Sequence, residues 1–351
     1  MESSVRGTGH LLWPGGEPPE AQIAPIREQL PVRAAYEASV LANRELFGRM
    51  AASALLPAMT DAVDQWRPSL VFRDPAEYAS AVVAAERSIP SAQVAISLAE
   101  VESGALEVAR PALEEHRPGL TDTLMSGPYL TRFPSSFDPS SFTVTRRFRV
   151  PTVRHERPLP DWWHGSAAPL VYVSFGTVLG HMSFASEVFR TALLAVRELE
   201  ARVLVTVGRQ VDPPTLGELP EHVHIEAWVD QERVMADAAL VVCHGGSGTV
   251  LGALQAGVPI VTVPVFADQF VNGQRVAESG AGRDVVRDDS GGRDRRRPVG
   301  PDVSARLTRA IEDVLADGRH RRAAEILGAE MAAAPPVADV LDELVERSVG
   351  P

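Results

Sequence analysis

Between an apolar run, Leu240 to Cys243, and a helical stretch that begins near Thr249 stands the hexapeptide His244-Gly245-Gly246-Ser247-Gly248-Thr249. Strand, glycine turn, helix is the geometry of a phosphate site. Glycines let main-chain N–H groups approach an anion, and the amino terminus of the helix adds a partial positive charge aimed at it. Ser247 and Thr249 add hydroxyl donors. Glycines alone do not establish such a site, because tight strand-to-helix turns also use them for conformational reasons. The company they keep narrows the reading: His224-Ile-Glu-Ala-Trp228-Val229-Asp-Gln231 lies upstream and Pro264-Val-Phe-Ala-Asp268-Gln269-Phe-Val-Asn272 downstream. Taken singly, Trp228 reads as core, Asp268-Gln269 as a solvated turn, His244 as a capping or buried histidine and Cys243 as a buried strand residue without redox chemistry.

The three motifs, in this order and spacing, resemble the signature of the family 1 nucleotide-diphosphate-sugar glycosyltransferases, the inverting family of GT-B fold that glycosylates natural products in actinobacteria and small molecules in plants. The resemblance implies an α/β chain of two Rossmann-like domains facing across a cleft. It places the donor pyrophosphate on His244, Gly245, Gly246, Gly248 and Thr249, with Ser247 in the same turn. It places the nucleobase against Trp228 and the main chain of Val229, an aromatic platform suiting a base's π face. Asp268 and Gln269 match the positions that bond the sugar hydroxyls. Gly176 and Thr177, in Val-Ser-Phe-Gly-Thr177, match the loop that faces the donor phosphates from the other side.

In the family the general base is a histidine in the loop after the first strand. Gly7-Thr-Gly-His10 followed by Pro14 is the available match, which makes His10 the candidate base. Met1 to Arg6 does not read as a buried strand, so the expectation is an amino-terminal domain that lacks the family's opening strands. Asp74 follows the run Leu70 to Phe72 at the place of the carboxylate that orients the base. It equally suits a cap ahead of Pro75, and both readings stand at this point.

The implied reaction is a single displacement with inversion, the leaving diphosphate being met by the helix terminus and main-chain donors. No paired-aspartate motif is visible, so neither metal nor cofactor is expected, the nucleotide sugar being a co-substrate. A dTDP-deoxysugar is the first expectation for the donor and a UDP-sugar the second. The acceptor is expected to be a hydroxyl of a small apolar aglycone, such as a polyketide, held in the cleft. The competing expectation is a catalytically impaired relative that binds a donor or a partner. A dehydrogenase would require G-x-G-x-x-G, which is absent.

These motifs must be held by alternating strands and helices. Leu170 to Ser174, Arg202 to Val207, Val223 to Glu226, Leu240 to Cys243 and Pro259 to Val263 read as strands, with helices at Ser183 to Leu199 and Gly248 to Gln255. That rhythm predicts a doubly wound parallel sheet. Upstream, Ala34 to Trp66 reads as one or two helices, Ser69 to Phe72 as a strand, Tyr78 to Arg87 as a helix and Ala92 to Leu98 as a further apolar run. Residues 1–30 read as an irregular start without a core, and residues 127–168 show no clean period. Arg287 to Pro298 reads as a charged surface loop. Helical pattern resumes from Val303 to Leu327, and an amphipathic helix closes the chain from about Val337 to Val349. The expected division is an acceptor domain over 1–153, a linker over 154–168, a donor domain over 169–334, and a last helix over 335–351 that packs toward the first domain.

The bulk properties exclude several classes. At 351 residues the chain suits two domains of ordinary size. Its net charge of −12, with every one of its 34 basic residues an arginine, argues against general binding to nucleic-acid backbones. A single cysteine cannot staple the chain, so a reducing, cytoplasmic setting is expected. No apolar run is long enough for a membrane span. A homodimer is compatible with these features.

Overall fold

The computed structural model describes residues 5, 7–30, 33, 35–151, 158–177, 179–182, 184–209, 211–286 and 299–348. Residues 154–157 of the expected linker, all of the charged loop 287–298 and most of Met1 to Arg6 lie outside the described residues. The chain divides into two compact units: Met1–Thr131 with Pro139–Phe148 and Pro335–Pro351, and Arg132–Asp138 with Arg149–Ala334.

The first unit is built on a four-stranded parallel sheet in the order β1 (Val71–Arg73), β2 (Ser91–Val94), β3 (Pro128–Thr131) and β4 (Val144–Arg147). The helices Ala79–Glu86 and Ala99–His116 and the segment from Ala35 to Trp66 bury an apolar cluster that includes Val82, Leu106, Leu113, Leu120 and Tyr129. Tyr129 and Phe142 stack with ring centroids 4.1 Å apart. Helix Val337–Ser348 belongs to the same unit, where Glu343 receives Arg146 at 3.0 Å.

Two expectations fail here. Residues 1–30 are not wholly irregular: Glu20–Gln29 is helical and Ile23 is buried. Its weak amphipathy and internal Pro25 hid the period. The aperiodic stretch 127–168 contains β3 and β4. Four residues give too short a window for period 2, and β4 is half-buried throughout, so it carries no apolar alternation.

Beneath the carboxyl ends of β1 and β2 lies a buried polar relay. Arg73, 4% exposed, donates to the Gln93 Oε1 and from Nη1 to the carbonyls of Asp74, Pro75 and Glu77. Gln93 Nε2 donates to Glu102 Oε2 at 2.8 Å, and Glu102 Oε1 accepts the N–H groups of Ile96 and Ser97 at 2.8 and 2.7 Å. The relay thus ties the loop after β1 to the loop after β2. Burial pushes the Glu102 carboxyl up to about 7, against the main-chain donors, which favour the ionised form.

The second unit carries six parallel strands: β5 (Leu170–Ser174), β6 (Arg202–Thr206), β7 (Val223–Glu226), β8 (Leu240–Cys243), β9 (Ile260–Thr262) and β10 (Gly282–Asp284). Their spatial order is β10-β9-β8-β5-β6-β7. The inner strands are Val- and Leu-rich and buried on both faces, as a sheet covered by helices on both sides requires. Its core joins Val173, Val205, Val242 and Val261 to Phe189 of helix Ala185–Val196 and Ile311 of helix Pro301–Ala316. The strand boundaries read from sequence hold for β5, β7 and β8 to the residue. The single pattern from Val303 to Leu327 proves to be two helices, broken at Asp317, whose side chain caps Arg319 N. The α/β, two-sheet architecture is the expected one.

Candidate functional site

The chain winds outward from β5 in one direction through β6 and β7, then returns beside β5 with β8 and winds the other way. The carboxyl ends of β5 and β8 are therefore the topological switch point of the second unit, where open α/β sheets bind ligands. A cavity of about 330 Å³ opens there. Its wall comes from four successive strand ends: Ser174, Gly176 and Thr177 after β5, Thr206, Gly208 and Arg209 after β6, Trp228 and Val229 after β7, and Thr249 in the first turn of helix Ser247–Gln255. Tyr172 and Thr206 share a hydrogen bond at 3.1 Å on its floor. Trp228 is 65% exposed, an unusual state for the largest apolar side chain in a folded unit and the one a stacking platform needs.

His244 stands at the end of β8 between two glycines. A Cβ on Gly176 would lie 2.9 Å from the imidazole Cε1, and one on Gly246 would lie 2.4 Å from Nε2, so only residues without side chains can flank the ring this closely. Gly176 and Gly245 also adopt φ +72° and +83°. Desolvation holds the imidazole below its ordinary value, while the Asp268 carboxylate and the Ser174 main chain pull the other way. Its Nδ1 is buried without a well-formed hydrogen bond. The ring is thus rigidly presented and neutral near pH 7. Cys243, just before it, is fully buried, and burial pushes its thiol up to about 12.

A second network braces this turn. Asn272, fully buried in helix Gln269–Glu278, donates to the Gly245 carbonyl at 2.7 Å, the Asp268 Oδ2 at 3.0 Å and the Ser247 Oγ at 3.1 Å. Ser247 in turn donates to Asp268 Oδ2 at 2.9 Å. Gln269 is 3% exposed, and its Oε1 accepts the N–H groups of Val265 and Phe266 at 2.9 and 3.0 Å. Ala267, between them, is held at φ +55°, a left-handed conformation that is costly for a residue with a side chain. Asn272→Ala is expected to lower stability by about 1–3 kcal/mol, because the buried Gly245 carbonyl loses its side-chain donor and the Ser247–Asp268 pair loses its brace, and a thermal melt or denaturant titration checks it.

Of the residues singled out in sequence, Gly176, Thr177, Trp228, Val229 and Thr249 line the cavity. His244, Gly245, Gly246, Ser247, Asp268 and Gln269 form the connected turn beside it, and Gly248 is exposed at the helix start. His10 and Asp74 lie in the first unit, where His10 is exposed and no hydrogen bond joins the two. Asp74 Oδ1 accepts the N–H of Ala76 at 2.8 Å, the turn-capping role that was the alternative for it. Three residues received no role from sequence: Arg209; Gln231, which donates to Thr249 Oγ1 at 3.2 Å; and Asn272. Gln231 and Asn272 stand inside the motifs, but their partners are 18 and 27 positions away and no local pattern reveals them. Among the described residues no group of three or more His, Cys, Asp or Glu side chains could hold a metal ion, and no helix is long and apolar enough to cross a membrane.

Comparison with known proteins places these features in a family. Residues 190–347 match the family of the erythromycin biosynthesis protein CIII-like C-terminal domain. The L-demethylnoviosyl transferase of Streptomyces niveus is 30% identical over 302 residues, covering 84% of this chain and 76% of that protein. The oleandomycin glycosyltransferase of Streptomyces antibioticus is 32% identical over 136 residues, 37% of this chain and 32% of its own length. The match thus spans three quarters of the first relative and only a third of the second. The spinosyn rhamnosyltransferase structure superposes with a TM-score of 0.73 at 22% identity, over 92% of this chain and 84% of that one. The structure of the glycotransferase of kitacinnamycin gives 0.70 at 22% identity, over 99% and 88%. The chain belongs to the family 1 glycosyltransferases of the actinobacterial natural-product type, enzymes of GT-B fold and hexosyltransferase class.

Proposed function

We propose that the second unit binds a nucleoside-diphosphate sugar, a dTDP-deoxysugar first and a UDP-sugar second, and that the chain transfers the sugar with inversion to a hydroxyl of a small apolar aglycone. The observation that carries this reading is the cavity at the switch point. It pairs an exposed indole, Trp228, with hydroxyls and a helix amino terminus at the other end, the two halves a nucleoside diphosphate presents. Solved relatives complexed with thymidine diphosphate, among them a structure of the spinosyn rhamnosyltransferase, support the choice of nucleotide. The S. niveus relative supports a natural-product acceptor.

In the reaction, Trp228 stacks the base, and Thr177 and Thr249 hold diphosphate oxygens with the N–H groups at the start of helix Ser247–Gln255. His244, fixed and neutral, donates a hydrogen bond to the diphosphate as the bond to the anomeric carbon breaks. Asp268 and Gln269 face the sugar, Gln269 through the amide nitrogen left over from its main-chain contacts. In this reading His10 is the base that takes the acceptor proton and Asp74 its partner, although no hydrogen bond joins the two in the structure and Asp74 Oδ1 is engaged by the Ala76 N–H.

Calorimetry with thymidine, uridine, guanosine and adenosine diphosphates tests the donor reading. Thymidine or uridine diphosphate should bind and the purine nucleotides should bind more weakly. Trp228→Ala should cost about 1–3 kcal/mol of that affinity, the scale of a lost base-stacking platform. His244→Ala should also cost about 1–3 kcal/mol through the lost hydrogen bond to a charged oxygen. Affinities equal to wild type in folded variants would remove either residue from the site.

A further inference from the structure

We infer that Arg209 is a donor-binding residue whose guanidinium engages the diphosphate and makes the cavity prefer a nucleoside diphosphate to the nucleoside alone. The inference rests on the donor reading above and adds to it a residue that no motif contains.

The cavity lining is unusual for this chain. The protein carries 46 acidic against 34 basic residues, yet among the described residues no carboxylate lines the cavity, and Arg209 is the one charged side chain in its wall. Elsewhere arginines are typically compensated: Arg87 pairs with Asp64, Arg110 with Glu107 and Asp122, and Arg319 with Asp317. Arg209 is exposed and makes no hydrogen bond or ion pair with any described residue. Its placement is defined by the sheet. Strands β5 and β6 pair in parallel with Ser174 opposite Thr206, so the loops that leave them carry Gly176-Thr177 and Gly208-Arg209 side by side at the same end. Gly208 at φ +77° turns the chain immediately before Arg209.

Opposite this cation are the hydroxyl of Thr249 and the first turn of helix Ser247–Gln255, which favour negative charge in the same space. A cavity with a guanidinium, a helix amino terminus and no acid among its described lining residues is electrostatically matched to an anion. A guanidinium also offers parallel N–H donors that fit two phosphate oxygens at once. With no lysine in the chain, arginine is the sole side chain with a permanent positive charge available for this task.

The test compares thymidine diphosphate with thymidine on wild type, Arg209→Met and Arg209→Lys by calorimetry, with thymidine followed by ligand-observed NMR. Arg209→Met should weaken thymidine diphosphate roughly five- to fifty-fold, within the range of a hydrogen bond to a charged group, and leave thymidine within about twofold. Arg209→Lys should fall between, and the loss of affinity with added salt should be shallower in Arg209→Met. Because the side chain is exposed and unpaired, the variants should melt with wild type. Equal thymidine diphosphate affinity in wild type and Arg209→Met overturns the role of Arg209 while leaving the donor reading intact. An equal loss for diphosphate and nucleoside would also overturn it, since Arg209 would then shape the cavity without touching phosphate. If wild type binds no nucleoside diphosphate at all, the donor reading itself falls and takes this inference with it.

Discussion

Gly176→Ala is expected to lower stability and nucleotide affinity together, by about 1–3 kcal/mol each. The substitution meets two independent obstacles. At φ +72° a side chain is strained wherever it points, and the new methyl would sit 2.9 Å from the His244 ring. The imidazole cannot retreat toward Gly246, where a Cβ position already lies 2.4 Å from Nε2. The ring must therefore rotate or the β5 loop must lift, and either change moves a group to which the proposed function gives a diphosphate contact. Gly176→Ala should consequently bind thymidine diphosphate at least as poorly as His244→Ala, and adding Gly176→Ala to His244→Ala should cost less than it does alone. Additive losses in that double-mutant cycle would show that the glycine and the histidine act separately.

Stability should also fall as pH rises from about 5 to 8, with Glu102 as the chief single source. Its folded carboxyl titrates at about 7 against an ordinary value of 4.5, so between those values the folded chain holds a proton that the unfolded chain has released. Stability then declines with rising pH, and the shift corresponds to about 3 kcal/mol once pH exceeds the folded value. The groups around it are Gln93, Tyr129 and the main-chain N–H groups of Ile96 and Ser97, with the Arg73 guanidinium reached through Gln93. Glu102→Gln should flatten the pH profile of denaturant unfolding, even if the reversed amide costs a hydrogen bond to Gln93. An unchanged profile in that variant would assign the pH dependence to other carboxylates.

The second unit was more legible in sequence than the first because its signals are local. Strands β5 and β8 are short apolar runs, β7 alternates as Val-His-Ile-Glu, and the His244 turn is contiguous. Trp228 and Asp268-Gln269 were readable from their distance to that turn. Arg209 was not, since an arginine after a strand looks like any solvated charge. What distinguishes it is the absence of acids among the described residues that line the cavity with it, which is a property of four loops brought together by the sheet. Asn272 was likewise silent: a polar residue at helical spacing gives no sign that it is fully buried and bonded to a turn 27 positions earlier. In the first unit the relay Arg73-Gln93-Glu102 joins a strand, the next strand and a helix, and no window along the chain contains all three. Strands β3 and β4 were missed for a different reason, their four-residue length.

Cys243 makes the chain a convenient one to tag. It is the sole cysteine, it lies wholly inside the sheet, and its thiol holds its proton up to about pH 12, so maleimides and other thiol reagents have no accessible thiolate to attack. A cysteine introduced at one exposed position would then be the single point of attachment for a fluorophore, with no background to engineer away. Asp212, exposed in the loop after β6 and outside the cavity lining, is one such position, and a dye there would report arrival of a ligand beside that loop in real time.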